Sequence, residues 1–275
     1  MGWDRASRIS VMDERAYRDF YEQLAKDHGD MDEQYYGPQG TSGGWGDRLL
    51  DHVIARLPDC RGLFADVGCA DGRLLVKLAG RMPTRIGVEL SSVRLRRARR
   101  KLASAGRPVL LIQSFLETMP LSQESVEVAT CLETLEHVLD VPQALDELRR
   151  ILKPGGHLFV SVPSVTLRTY WEMYRLRRPL YCDEREHVRE FTEKPIPWFA
   201  HKFVLTKELE EWFQAARFRV IRRSGVGYLF PRWADITPLT RTMFDLIYGR
   251  VNAFCGYLPY VRSFPKHTVY HLVGV

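Results

Sequence analysis

Apolar and polar positions along the chain follow two different periods. From Leu63 onward, short apolar runs recur with room for one helix between each pair. The runs Leu63–Val67, Arg85–Glu89, Val109–Gln113, Val126–Cys131 and His157–Val162 predict strands. The stretches between them, Gly72–Arg81, Ser92–Ala105 and Pro142–Leu152, carry helical spacing. Short apolar strands alternating with helices predict a parallel sheet joined by right-handed crossovers. Lys153-Pro154-Gly155-Gly156 is expected to stop the last of these helices and turn the chain into the next strand.

The flanks read differently. Asp13–His28 predicts a polar-rich helix with Tyr17, Phe20, Tyr21 and Leu24 on one face. A glycine-rich loop, Gly37–Gly44, and a second helix, Leu49–Leu57, follow. Beyond the fifth strand, Ser164–Val204 is rich in aromatics, arginines and prolines, which predicts an inserted cap rather than sheet. Thr206–Ala216 predicts a helix that Thr206 caps and whose apolar face is Leu209, Trp212 and Phe213. Phe218–Arg222 and Thr268–Val275 read as strands, with a helical insertion over Asp235–Cys255. The chain thus divides into N-terminal helices and a loop able to act as a lid (1–62), a core (63–163), a cap (164–205) and a C-terminal half of the same fold (206–275), with its insertion at 235–256.

Composition narrows the class. The 275 residues are 45% hydrophobic and 27% charged, which fits a soluble globular chain able to bury a large core. The five cysteines form no CxxC pair, which argues for a reducing compartment, expected to be the cytoplasm. No apolar run reaches the roughly 18 to 20 residues of a membrane span. Met1–Ser10 has no apolar core of a secretory signal. The net charge of +6 is concentrated in Arg94, Arg96, Arg97, Arg99, Arg100 and Lys101, and in Arg217, Arg219, Arg222 and Arg223. Such groups suit a solvated helix face and strand edge, with an anionic partner as the alternative.

The most informative segment is Asp66-Val67-Gly68-Cys69-Ala70-Asp71-Gly72, where a buried strand runs into a glycine turn and then a helix. Small residues let a ligand approach the backbone, and the helix start offers N–H groups to a negative group. Open parallel sheets bind ligands at these strand ends. A dinucleotide fingerprint would need glycines where Ala70 and Arg73 stand, so NAD is disfavoured. Glu89, ending the next strand about 20 residues on, is placed to accept both hydroxyls of a ribose. A plain alternative is an acid complementing the dipole of the following helix.

These segments, with Gly87-Val88-Glu89, Cys131-Leu132-Glu133-Thr134-Leu135-Glu136-His137-Val138 and Glu147-Leu148-Arg149-Arg150-Ile151-Leu152-Lys153-Pro154-Gly155-Gly156, closely resemble the class I S-adenosylmethionine-dependent methyltransferases, nearest the small-molecule branch. The resemblance covers roughly Phe64–Val162. It implies an α/β, Rossmann-like fold: a mostly parallel seven-stranded sheet with helices on both faces and a helical, aromatic cap. It implies S-adenosyl-L-methionine as cofactor and S-adenosyl-L-homocysteine as product. Asp66, Gly68, Cys69, Ala70 and Gly72 would cradle the methionine part. Glu89 would hold the ribose, with Leu90 against the adenine and Ser114 and Phe115 lining it. Leu132, Glu133 and His137 would close over the methionine end. Two departures stand out: the middle glycine of the family turn is Ala70, tolerable where the backbone is not at positive φ, and Ser114 replaces an acid at the adenine edge.

Methyl transfer from a sulfonium is a one-step displacement that depends on in-line positioning in a dry site. A phenol, with a pKa near ~10, gains from a histidine base; a carboxylate needs none. His187, in Glu186-His187-Val188-Arg189-Glu190-Phe191, is the base candidate, with a structural histidine as the alternative. Tyr170, Tyr174, Tyr181, Arg189 and Trp198 are candidate acceptor contacts, where core packing is the competing account. Cys182 and His187 lack paired ligand spacing, so no metal site is expected. His201, His267 and His271 carry no local pattern and read as structural. The expected function is methylation of a small-molecule acceptor, at oxygen first, in specialised metabolism. The alternatives are N-methylation of a small molecule or peptide, RNA methylation, and cofactor binding without transfer. Nucleic acid is not the expected partner; Tyr228–Trp233 could touch a membrane surface.

Overall fold

The computed structural model describes residues 14–27, 45–103, 109–164, 206–226 and 267–275. The chain begins with α1 (Glu14–Asp27) and α2 (Trp45–Ile54). Then come β1 (Leu63–Val67), α3 (Arg73–Lys77), β2 (Thr84–Glu89), α4 (Ser92–Ala103), β3 (Val109–Gln113) and β4 (Val126–Leu132). The described part ends with α5 (Val141–Ile151), β5 (Leu152–Pro163), α6 (Thr206–Ala215), β6 (Phe218–Val226) and β7 (His267–Gly274).

The seven strands form one sheet in the order β3-β2-β1-β4-β5-β7-β6. The first five run parallel, and β7 enters antiparallel between β5 and β6. The strand order reverses between β1 and β4, which opens a crevice beyond their C-terminal ends. The central strands are buried on both faces, so they read as continuous apolar runs. One face carries α5 and α6, with Leu145, Leu148, Leu209 and Phe213 packed on the sheet. The other carries α2, α3 and α4, with Leu50, Val53, Leu75 and Ala98.

α5 starts where Asp140 accepts a 2.9 Å bond from the Gln143 amide, with Pro142 in the first turn. Its Glu147 accepts from the Met119 amide at 2.7 Å, and Arg150 donates to the Met119 and Leu121 carbonyls. The Glu147/Arg150 part of the sequence motif therefore ties the segment after β3 to α5.

Two expectations need correction. The helix expected over Gly72–Arg81 is regular only over Arg73–Lys77, because it starts at a left-handed Gly72 and unwinds past Leu78. The segment expected to separate α5 from the fifth strand belongs to that strand: β5 begins at Leu152, which pairs with Val126. Lys153–Gly156 is an irregular excursion within it, with Gly155 at φ +72°. The expected insertion over Asp235–Cys255, the cap over 164–205 beyond Ser164, and the Gly37–Gly44 loop lie outside the described residues.

Candidate functional site

The crevice above β1 is floored by the turn after Val67. Gly68 and Gly72 sit at φ +77° and +76°, conformations that glycine adopts without strain. The Gly68 and Cys69 amides both donate to the Val88 carbonyl, which fastens the turn to β2. Ala70 sits at φ +45°. The condition under which Ala70 was expected to be harmless is therefore not met: the left-handed region costs an alanine about 1 to 2 kcal/mol. The Ala70 amide is held in that conformation by a 3.1 Å bond to Glu89. The Cys69 side chain is buried in the core beneath the turn, so only its backbone faces the crevice.

Glu89 is buried, and its second oxygen accepts from the Ser91 amide at 2.9 Å. Its carboxylate thus bridges the glycine turn and the start of α4. Beside it, Gln113 donates to the Leu90 carbonyl, and the Ser114 amide reaches the Glu89 carbonyl. The Ser114 hydroxyl bonds the carbonyls of Phe115 and Thr118.

Asp66 is buried below the turn, where the Thr130 hydroxyl donates to it at 2.8 Å. Burial pushes its pKa up to about 7; the Thr130 bond opposes this and the Glu89 charge adds to it. An acid whose native pKa lies above its unfolded value, ordinarily about 3.9, binds more protons when folded. Asp66 therefore makes stability fall as pH rises from about 4 to about 7, by at most about 1.4 kcal/mol per pH unit. Asp66→Asn should remove that slope, which Tm measured from pH 5 to 8 would reveal. Parallel slopes in the two proteins would show that Asp66 is ionised throughout.

Leu132, the last residue of β4, packs partly buried against the core, and Glu133 beyond it stands at φ +49°. Its amide donates to the Ser161 hydroxyl at 3.0 Å, and that hydroxyl donates back to the Glu133 carboxylate at 2.7 Å. The other Glu133 oxygen lies 2.7 Å from His267 Nδ1. Glu133 thus engages protein groups with both carboxylate oxygens. The next residue, Thr134, lies so close to Gly68 that a Cβ there would fall 2.1 Å from its hydroxyl. His137 is partly exposed and meets Tyr21 edge-on, with ring centroids 6.1 Å apart.

The helix α1 lies along this crevice. Tyr17 packs near Phe115 at 6.3 Å on the one side, and Tyr21 near His137 on the other. Glu22 accepts from the Ser92 and Val93 amides at 2.6 and 3.2 Å and from the Ser91 hydroxyl at 3.1 Å. Burial raises the Glu22 carboxyl, but these bonds together outweigh it and leave its pKa below the usual value. Glu22 so caps α4 one step from the Ser91 that holds Glu89. Sequence reasoning missed Glu22 as well as Ser161 and His267. The tyrosine stripe of α1 was visible, but not what it covers.

These features fit the cofactor that the resemblance implied: a tight turn of small residues, a buried carboxylate at the end of β2 where a ribose would lie, and an aromatic on each flank. Gly68, Ala70 and Gly72 lie in the turn after β1, Asp66 and Cys69 are buried beneath it, Glu89 and Leu90 stand at the end of β2, Ser114 and Phe115 follow β3, and Leu132, Glu133 and His137 end or follow β4, all at the C-terminal edge of the parallel strands. Tyr170, Tyr174, Tyr181, His187, Arg189 and Trp198 lie outside the described residues.

Residues 65–160 match the family description of a methyltransferase domain. The chain is 30% identical over 188 residues to the ubiquinone biosynthesis O-methyltransferase of Actinobacillus pleuropneumoniae, covering 65% of this chain and 75% of that one. Among solved structures it is similar to phosphoethanolamine N-methyltransferase 2 of Haemonchus contortus in complex with S-adenosyl-L-methionine. That likeness has a TM-score of 0.62 at 17% identity, over 94% of this chain and 60% of that one. It is also similar to geranyl diphosphate C-methyltransferase of Streptomyces coelicolor with S-adenosyl-L-homocysteine, at TM-score 0.62 and 12% identity, over 94% and 98% of the two chains.

Proposed function

The chain belongs to the class I S-adenosylmethionine-dependent methyltransferases, and from that membership we propose that it methylates a hydroxyl oxygen of a small-molecule acceptor. The observation that carries oxygen over nitrogen is the likeness to an O-methyltransferase across three quarters of that protein's length. The specialised-metabolism setting rests on the aromatic-rich sequence of residues 164–205 alone.

When bound, S-adenosylmethionine supplies an electrophilic methyl group on a sulfonium. The chain's own contribution is placement and exclusion of water. The backbone of the turn would carry the methionine part: Gly68 lets it lie close to the loop after β4, and Gly72 leaves room for Ala98 and Leu102 of α4 to pack beneath it. Glu89 receives the ribose hydroxyls, and Phe115 flanks the base. The helix α1, fastened by Glu22, lies against the segments after β3 and β4 through Tyr17 and Tyr21 and would help to exclude water there. In-line placement in such an enclosure supplies much of the rate of a displacement.

The RNA reading has less support. Arg97 donates to the Ala25 carbonyl, Arg96 to Ser92, and Lys101 pairs with Asp71, so part of the basic segment of α4 serves internal contacts. No helix among the described residues is long and apolar enough to cross a membrane. Residues 228–233, which could touch a membrane surface, lie outside the described residues.

Titration calorimetry with S-adenosylmethionine and S-adenosylhomocysteine should give micromolar binding of both. Isotope-labelled cofactor should then pass its methyl to a hydroxylated aromatic compound, with the ether identified by mass spectrometry. Label transferred only to amines, or binding with no transfer to any acceptor, would overturn the oxygen assignment.

A further inference from the structure

We propose that a cavity between the end of α2 and the β5-β7-β6 edge of the sheet binds a small oxyanion of the phosphate class, separately from the cofactor crevice. Strand pairing assembles its sheet side. His271 of β7 stands opposite Phe159 of β5 and Arg222 of β6, and Val269 stands opposite Ser224. Phe159 and Val269 belong to the apolar cluster on the α2–α4 face of the sheet. Directly paired residues share a face, so His271, Arg222 and Ser224 stand on it too. The register slip between Val220 and Arg222 brings Arg222 there. Phe218, four residues before it, packs on the opposite face. One extra residue in β6 turns the side chains beyond it over.

The cavity measures about 220 Å³ and is lined by Arg56, Phe159, Arg222, Ser224, Val269 and His271, with Ala55 at its edge. Its apolar part is Phe159, on which the His271 ring stacks at 4.3 Å, together with Val269. Every polar side chain of the lining can donate a hydrogen bond, and no carboxylate is among them. Arg56 follows α2 and is anchored by donating to the His52 carbonyl at 2.7 Å. The Ser224 hydroxyl lies 2.8 Å from His52 Nε2, which ties α2 to β6. The sequence singled out Arg217, Arg219, Arg222 and Arg223 as a basic group. Arg223 pairs with Glu210 at 3.2 Å, whereas Arg222 lines the cavity and has no carboxylate partner among the described residues. Donors thus come from α2, β6 and β7, which suits the tetrahedral oxygens of a phosphate better than a planar carboxylate. The volume leaves room for a short organic group on that phosphate.

The local charge favours an anion even with the histidines neutral. Burial pushes His271 down to about 4, and His157 and Arg222 add to it. Burial also pushes His52 down to about 4, and Arg56 and Arg222 add to it. His157, 2.8 Å from His271, is lowered by burial, with Glu127 working against this. Glu127 does not line the cavity, and its carboxylate accepts from the Gly62 amide at 2.8 Å. An anion beside Arg222 would offset the positive charge that both His52 and His271 feel. It would therefore raise both rings, and by reciprocity their protonation would tighten the anion.

The test follows the histidine-ring NMR signals of the full chain while sodium sulfate, and in a second series sodium phosphate, replaces sodium chloride at constant ionic strength. Both ions should move the His52 and His271 signals together, with saturation in the millimolar range, and leave His137 and His267 in place. Acetate should not saturate in that range. Sulfate keeps its double charge as pH falls, so it should bind about twofold tighter at pH 5 than at pH 7.5, if it raises a ring that titrates near 4 by about one pH unit. Arg222→Gln should weaken sulfate at least tenfold, the effect of losing one hydrogen bond between charged groups. Arg219→Gln removes the same charge from the same strand without touching the cavity, and should stay within about twofold of wild type. S-adenosylmethionine affinity within about twofold of wild type in Arg222→Gln would show that its fold is intact.

Signals that drift linearly with sulfate, or that weaken equally in Arg219→Gln and Arg222→Gln, would reduce the effect to diffuse surface charge and overturn the site. So would saturation that leaves the His52 and His271 rings unmoved. Acetate binding as tightly as sulfate would overturn the phosphate class. None of these results touches the O-methylation reading, which concerns the other end of the parallel strands.

Discussion

Gly68→Ala is expected to abolish S-adenosylmethionine binding and to cost the fold about 2 to 5 kcal/mol. Two costs add. An alanine at φ +77° pays about 1 to 2 kcal/mol for the left-handed conformation. Its Cβ would also fall 2.1 Å from the Thr134 hydroxyl and 2.9 Å from the Thr134 Cβ. Thr134 cannot swing aside cheaply, because it is stiff at χ1 and its hydroxyl donates to the Leu132 carbonyl at 2.9 Å. Overpacking of this kind costs about 1 to 3 kcal/mol. The turn and the loop after β4 must therefore separate, and these are the two walls of the crevice. Urea unfolding and cofactor calorimetry would read both effects. Thr134→Gly in the same chain should recover part of the stability, since it removes the clash but not the strain. Unaltered affinity in Gly68→Ala would show that the walls do not meet as described.

Much of this architecture was visible in the sequence for a physical reason. Parallel strands inside the sheet are buried on both faces, so β1 and β4 were legible as runs, and β1 falls on Leu63–Val67 as read. The places of the glycine turn and of Glu89 were equally legible, because they depend on local spacing. Ala70 was not: nothing in its type announces that the backbone at the middle of the turn is left-handed. Nor did the sequence show that Lys153–Gly156 lies within β5, since Pro154 and the two glycines carry the signature of a helix stop, whereas Leu152 has already joined β4. The largest gaps concern contacts between distant segments. Glu22 reaches Ser92 across 70 residues, and His267 reaches Glu133 across 134. His267 had no motif of its own; its partner is set by the antiparallel insertion of β7 beside β5, a property of the sheet.

Glu89→Ala should weaken S-adenosylmethionine by at least tenfold, and by several hundredfold if both ribose hydroxyls bond the carboxylate. A hydrogen bond to a charged group contributes about 1.5 to 3 kcal/mol, and about 1.4 kcal/mol is a factor of ten in affinity. The carboxylate also has a second duty, because it holds the Ala70 amide at 3.1 Å and the Ser91 amide at 2.9 Å. Alanine would leave both donors without this acceptor and release the strained Ala70 to relax, so part of the affinity loss comes from a turn that no longer waits in shape. Glu89→Gln separates the two duties. Its amide oxygen can still accept from one backbone N–H, but its NH2 group meets the other N–H donor to donor. It should therefore keep more stability than alanine and still lose at least tenfold in affinity. Adding Ala70→Gly to Glu89→Gln should then recover part of the affinity, since glycine holds the left-handed turn without help. Calorimetry on these variants would apportion the effect. No recovery would assign the whole loss to the ribose bonds, and unchanged affinity in Glu89→Ala would remove the ribose assignment itself.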